Sequence, residues 1–439
     1  MSVFFVNNYR KIFLLLFLSM SSQSILAAWS LEPSYYLRAE RNDNIYLATQ
    51  GNELAVTGGT FSPAIRAIME EEDQTLATDV SLQFTRYQGH EELARDEGRA
   101  GLNWNKTTEL SMYGVNASYA SKSNLDSWLE TSGIDQKVDT KTANISPNWK
   151  YQLGERWNVS VNLSYTDVTY DEPGLPEVLD FKVVNFVNYT DVSINLDFIL
   201  RLSEQDSLNF SYYQSRYEGV SNGLQFSQYI IGFFQTYLEA GERKVDYDYH
   251  VMQLGYVHQF NELQSFKIQV GANETNTQKQ ARLYVFDQSG NVSNVGNWIQ
   301  SDTSNTGQVY NIAYNQKNEI SRLELSAGRN RVAASTGGLD ETDTAKIFYT
   351  GNITERFSWA MDINRANYRP DQDISVKAVA EYTRISASPS LSYAIDKDWT
   401  MSMGYRYSEK DIDTDEQSRK SSMVFFNMSW REPKLLSTN

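Results

Sequence analysis

The stretch Ser388–Tyr407, SPSLSYAIDKDWTMSMGYRY, decides how the chain reads. Pro389, Leu391, Tyr393 and Ile395 alternate with Ser388, Ser390, Ser392 and Ala394. Beyond Asp396, Lys397 and Asp398, the residues Trp399, Met401, Met403, Tyr405 and Tyr407 alternate with Thr400, Ser402, Gly404 and Arg406. A period of two marks a strand, because successive side chains point to opposite faces. Three polar residues between two such runs make an antiparallel hairpin. One face is wide, apolar and aromatic; the other is polar and carries Arg406. Hairpins of this kind recur along the chain, so the fold turns on which solvent the apolar face meets.

Composition narrows the choice. Across 439 residues there is no compositional break or Pro/Ser-rich linker, which points to one large unit. Hydrophobic residues make up 41% and the mean hydropathy is −0.51, too polar for a helical membrane protein. Aromatics nevertheless reach 13%, with 28 Tyr against three His. That combination suits a polar interior inside an aromatic outer band. The chain has no cysteine, which excludes disulfides, Cys-ligated zinc and a thiol nucleophile. Its formal charge of −16, or −18 without Arg10 and Lys11, argues against nucleic acid as a partner.

The N-terminus points to export. Arg10 and Lys11 precede the apolar run Ile12 to Met20, and the small residues Ala27 and Ala28 follow. This is the layout of a secretory signal over residues 1–28, with an apolar core shorter than the roughly 20 residues a spanning helix needs. Residues 29–430 are then the exported body and 431–439 a short tail.

Within that body, short polar turns fall at Glu70–Asp73, Lys106–Thr107, the junction between Leu153 and Trp157, Ser203–Ser207, Asn261–Ser265, Gln316–Glu319, Thr354–Arg356 and Asp396–Asp398. Between them lie longer polar connections: Asn42–Leu54, Ser121–Lys137, Asp171–Lys182, Glu218–Arg243, Glu274–Ser304, Ala334–Thr342 and Lys410–Ser418. Eight short-turn hairpins plus an opening and a closing strand predict an all-β, antiparallel up-and-down transmembrane barrel of about 18 strands, within 16 to 20. A soluble sandwich has no reason to place short turns at one end and long loops at the other, whereas an outer-membrane barrel does. The closing strand, Ser422–Trp430, aligns Val424, Phe426, Met428 and Trp430 on one face, a terminal pattern suited to the barrel assembly machinery. Outer-membrane lipid and lipopolysaccharide are the other expected partners.

A charged side chain on the lipid face near the midplane costs roughly 2–4 kcal/mol, so mid-strand charges should point inward. By parity the pore-lining candidates are Asp79, Lys150, Asp197, Arg201, Lys267, Arg322, Glu324, Lys346, Asp362, Arg384 and Arg406. Trp157, Trp359, Trp399 and Trp430 lie beside short turns with outward parity and are expected in the periplasmic aromatic girdle.

Enzyme readings find little support. His90, Glu91 and Glu92 fall in an expected external loop, while His250 and His258 lie about 26 Å apart along one strand, too far to share a metal. The chain has no G-x-S-x-G, H-E-x-x-H or P-loop pattern. Asp411, Asp413 and Asp415 form a D-x-D-x-D run, a weak calcium candidate, but Glu416 and Ser422 stand where an EF-hand loop needs Gly and Glu. No cofactor is expected.

The opening region carries a resemblance. Trp29, Leu31 and Pro33, then Asn42, Asp43, Asn44, Ile45, Tyr46 and Leu47, then Gly51, Asn52 and Glu53, then Phe61, Ser62 and Pro63 resemble outer-membrane barrels that accompany exosortase and exopolysaccharide gene clusters in Gram-negative bacteria. The similarity covers roughly the first hundred exported residues. It implies a role in polysaccharide or envelope assembly, with proteins of that machinery as partners and no catalytic residues. Two functions follow as alternatives. One is a channel for polar solutes or a glycan. The other is a non-conducting docking barrel filled by its own loops, Glu218–Arg243 and Glu274–Ser304 being long enough to fold in. An outer-membrane hydrolase stands behind both.

Overall fold

The computed structural model describes residues 28–123, 138–171, 187–221, 227–230, 236–286, 292–295, 298–333, 339–370, 381–413 and 417–432. The first half of the chain supplies β1 (Ala28–Asn42), β2 (Val56–Glu70), β3 (Gln74–Tyr87), β4 (His90–Thr107), β5 (Ser111–Ser123), β6 (Asp139–Gln152), β7 (Trp157–Asp171), β8 (Asn188–Arg201), β9 (Asp206–Ser221) and β10 (Ser227–Ile230). The second half supplies β11 (Thr236–Asn261), β12 (Gln264–Phe286), β13 (Val292–Val295), β14 (Ile299–Lys317), β15 (Ser321–Ala333), β16 (Leu339–Asn352), β17 (Phe357–Arg369), β18 (Tyr382–Ala394), β19 (Trp399–Ile412) and β20 (Arg419–Arg431). The strands β10 and β13 pair only with the far ends of β11 and β12. The other eighteen form one antiparallel ladder in chain order, and β1 pairs with β20 to close it. Closure removes the sheet edges that an apolar solvent could not hydrogen-bond.

Register explains the alternation. Leu391 faces Met403 and Tyr393 faces Met401, so the apolar residues of the opening hairpin share one face. Leu391, Met403 and Phe426 on β18, β19 and β20 are exposed and stand on the outside. The outward run from Trp399 to Tyr407 covers about 26 Å of strand, or about 20 Å of height at a tilt near 40°. That matches the apolar band of a membrane barrel, about 25 Å tall. Eighteen strands about 4.8 Å apart and so tilted enclose a backbone cylinder roughly 35 Å across.

The short turns lie at one end, where backbone hydrogen bonds such as Leu153 N to Trp157 O and Ile395 N to Trp399 O close them. Outward Trp157, Trp359, Trp399 and Trp430 sit beside this end, and Trp29, Trp104 and Trp149 stand there as well. Tyr35 stacks on Trp430 at 5.1 Å.

Three expected loops are built differently. Glu218–Arg243 and Glu274–Ser304 are largely strand: β11 runs for 26 residues and β12 for 23, rising as a ribbon beyond their neighbours. Above the apolar band, where β9 and β14 still pair with them, their outward residues are Lys244, Asp246, Asp248 and His250 on β11 and Glu274, Asn276 and Gln278 on β12. The outside of the ribbon is polar there: on β12 both faces are then polar and the alternation is lost, while on β11 it is inverted, with Val245, Tyr247, Tyr249 and Val251 on the buried inward face. For the same reason His90, Glu91 and Glu92 belong to β4 and not to a loop. A tight turn through Gly89, at φ 72°, joins β3 to β4.

Candidate functional site

The inner wall is the candidate surface, and the pleat alone decides what reaches it. All eleven candidates, Asp79, Lys150, Asp197, Arg201, Lys267, Arg322, Glu324, Lys346, Asp362, Arg384 and Arg406, share parity with inward neighbours and are half-buried or exposed. They do not form one ring. Lys150, Asp197, Arg201, Lys267, Arg322 and Glu324 lie toward the short-turn end, Asp79, Lys346 and Asp362 near mid-height, and Arg384 and Arg406 toward the long-loop end.

Pairing divides them further. Lys346 Nζ lies 3.2 Å from Asp362 on the adjacent strand, and Arg322 pairs with Glu324 two residues along its own. Asp197 accepts hydrogen bonds from Asn195 at 2.7 Å and Ser160 at 3.4 Å. Arg406 Nε donates to Ser388 Oγ at 3.3 Å. Among the described residues Lys150, Arg201 and Lys267 make no ion pair, so their charge is offered to the lumen.

Parity also places inward residues that sequence reasoning passed over. Arg38 Nε lies 2.6 Å from Glu40, and its guanidinium stacks over Phe425 at 4.6 Å. Tyr87 donates to Glu40 at 2.7 Å and accepts from the buried Arg95 at 2.9 Å. With Arg384, Arg406 and Lys410 these residues make the wall from β18 round to β4 strongly basic. They flank a small cavity of about 50 Å³ lined by Glu40, Tyr87, Arg384 and Arg406 and roofed by Ile45 and Leu47. The signal was available: Arg38 and Glu40 are two residues apart on a strand whose other face is Tyr35, Leu37 and Ala39.

Asn42, Asp43 and Asn44 prove to be a clamp. Asn44 is buried; its Nδ2 donates to Ala48 O at 2.9 Å and Lys420 O at 2.8 Å, while its Oδ1 accepts from Ala48 N at 2.9 Å. Asp43 N donates to Ser422 O and Ser422 N to Asp43 Oδ1. The loop after β1 is thereby tied to β20, and Leu47 takes a left-handed φ of 51° to make the turn.

At the long-loop end the wall overlaps itself. The β14–β15 ladder stops at Tyr310 and Arg329, although β14 continues up to Ile299 alongside β12. Arg331, on the outer face of β15, donates to Thr275 on the inner face of β12 at 2.8 Å. Leu339, where β16 begins, is buried in a cluster with the inward residues Tyr217, Tyr247, Tyr249 and Val309. Tyr217 stacks on Tyr247 at 4.1 Å and on Tyr189 at 4.6 Å. The upper end of β16, at Leu339, therefore lies on the lumen side of the ribbon.

Near the short-turn end the wall from the β4–β5 turn round to β12 bounds a chamber of about 790 Å³, lined by Glu109, Lys150, Asp197, Lys267 and a group of side-chain amides. Metal chemistry finds no comparable site: among the described residues no three His, Asp or Glu could hold an ion together. Of the calcium candidate, Asp411 lies on β19 and Asp413 just beyond it, whereas Asp415 lies outside the described residues.

A closed antiparallel ladder, an apolar outer band and a charged polar interior define a transmembrane β-barrel. No family model matches the chain, and no curated protein matches it. Solved structures do. The chain is similar to the ferric citrate transporter FecA in its unliganded form, at 7% identity over 92% of this chain and 79% of that one, with a TM-score of 0.48. The ferric yersiniabactin uptake receptor FyuA from Yersinia pestis gives 9% identity over 91% and 80%, with a TM-score of 0.48. OccAB4 from Acinetobacter baumannii gives 11% identity over 92% and 98%, with a TM-score of 0.41.

Proposed function

We propose that the protein is an outer-membrane channel that passes polar solutes and favours anionic ones, serving exopolysaccharide or envelope biogenesis. The observation that carries this reading is the sorting of charge. The chain is net acidic, yet basic residues outnumber acidic ones on the inward faces of the described strands. Acidic residues such as Asp246, Asp248, Glu218 and Glu274 stand on the outside of the ribbon instead. A basic wall enclosed by protein focuses field on a passing anion, over a screening length of about 8 Å at physiological salt. Forked guanidinium donors from Arg201, Arg322, Arg384 and Arg406 suit carboxylate, phosphate or vicinal hydroxyl groups.

Planar-bilayer recording tests it. The purified protein should conduct with anion preference, and replacing those four Arg by Gln should move the reversal potential toward cations while heat-modifiable gel mobility persists. Unchanged selectivity in a conducting variant would remove these residues from the pathway. A second reading, the non-conducting docking barrel, draws support from the end of β16 packed on the lumen side of the ribbon at Leu339; a native protein that inserts and never conducts would favour it.

A further inference from the structure

Resting on that channel reading, we propose that the chamber running from the β4–β5 turn to β12 is a binding subsite for a short acidic oligosaccharide, one that carries carboxylates along a hydroxyl-rich chain. Its volume of about 790 Å³, open to the lumen, falls in the roughly 300–1,000 Å³ range of small-ligand pockets, far beyond the need of a single ion.

Two features of the lining select the ligand. The first is charge spacing. Lys150 on β6 and Lys267 on β12 are separated by five interstrand steps, roughly 24 Å along the wall. One compact anion, such as a free phosphate, cannot engage both ammonium groups at once. A chain with acidic groups at intervals can, and neither lysine is occupied by a carboxylate of the protein among the described residues. The two carboxylates of the lining, Glu109 and Asp197, pair with neither lysine among the described residues; Asp197 is held by Asn195 and Ser160 instead.

The second feature is the amide lining. Asn209, Gln253 and Gln269 present side-chain amides on adjoining strands. Each amide offers both donor and acceptor, the complement of a sugar hydroxyl, which also does both. They are lightly engaged: among the described residues Gln253 Oε1 is reached by Ser211 Oγ at 3.5 Å and Gln269 Oε1 by Asn311 at 3.4 Å. Such long bonds lose little when a ligand hydroxyl replaces them. A hydrocarbon or aromatic ligand would leave these groups unpaired.

The test uses the full-length protein in detergent for titration calorimetry and in a planar bilayer for current block, with tetragalacturonate as the acidic probe and maltotetraose as its neutral counterpart. Tetragalacturonate should bind about tenfold or more tightly than maltotetraose, and the margin should shrink as salt rises. The double variant Lys150→Gln, Lys267→Gln should lose that margin while keeping its affinity for maltotetraose and its gel mobility. Gln253→Ala with Gln269→Ala should weaken both sugars. Equal binding of the two probes, or an unchanged margin in the lysine variant, overturns the subsite even in a protein that conducts. Selective binding in a protein that never conducts upholds the subsite and overturns the channel reading alone.

Discussion

Two joints in the barrel wall are short, and they are secured in opposite ways. At the seam between first and last strands, nine residue pairs join Ser34–Asn42 to Met423–Arg431. At the β14–β15 joint, eight pairs join Tyr310–Lys317 to Arg322–Arg329, whereas the other neighbouring barrel strands share ten or more. Above the seam, the Asn42–Asn44 clamp extends the hydrogen bonding of the ladder with side chains and loop backbone. Above β14–β15 the ladder is not extended; the strands slide past each other and are held by Leu339 in the tyrosine cluster and by the Arg331–Thr275 hydrogen bond. Directional bonds fix a register, while packing against a smooth aromatic face fixes only proximity. The seam is therefore built to stay closed and the overlap to come apart first.

The largest expected effect is at the overlap. Truncating a buried leucine typically costs about 2–5 kcal/mol, here charged against the docking of the end of β16. Leu339→Ala should undock that end in most molecules. Conductance should rise, while the urea midpoint of the whole barrel falls by no more than the free energy of docking, because an end that is already undocked has nothing further to lose on global unfolding. A fall in the midpoint equal to the full cost would mean that this end is part of the cooperative unit, and the contrast between the joints would fail.

Next comes the seam. Asn44→Ala deletes three hydrogen bonds of a buried side chain, each contributing about 1 kcal/mol, so about 2–3 kcal/mol of barrel stability should be lost. The signature is the reverse of the first variant: a lower urea midpoint with conductance unchanged. If Asn44→Ala opened the channel and Leu339→Ala lowered the midpoint by the full cost, the assignments of the two joints would have to be exchanged.

Much of this architecture was legible in the sequence, for a definite reason. Between two solvents each strand must alternate, so Trp399, Met401 and Met403 against Thr400, Ser402 and Arg406 report face, register and turn together. The same logic led to the inward placement of Lys150, Lys267 and Arg384. It fails above the apolar band: around Asn276 polar alternates with polar, and around Asp246 the apolar residues Val245, Tyr247 and Tyr249 have moved to the inward face, so the long ribbon reads as loop. Nor could it foresee that Lys346 spends its charge on Asp362 while Lys150 does not, since that depends on which strands are neighbours at the same height. The clamp was visible only as a run of Asn and Asp, residues that mark turns everywhere. The overlap had no local signal at all, because Leu339 meets Tyr217 and Tyr247 from far along the chain.

The smallest effect sharpens the comparison from the other end of the seam. Trp430 stacks on Tyr35 at 5.1 Å and lies 6.2 Å from Trp399, so the seam carries an aromatic run at its short-turn end. The foot of β14–β15 carries Tyr314 and Leu325 outside, with no tryptophan on those two strands. Aromatic pairs contribute about 0.5–1.5 kcal/mol beyond area burial, and phenylalanine keeps part of that. Trp430→Phe should therefore lower the urea midpoint by about 1 kcal/mol or less, well under the Asn44→Ala loss. Its position is the sharper readout. An indole at the foot of an apolar band belongs at headgroup level, where one edge is apolar and the N–H is wet. The difference in emission between wild type and Trp430→Phe should be quenched more by headgroup-level probes than by probes at the acyl midplane. The opposite order would place the short-turn end of the seam inside the hydrocarbon, and with it the sidedness assigned to every charge along the lumen would have to shift.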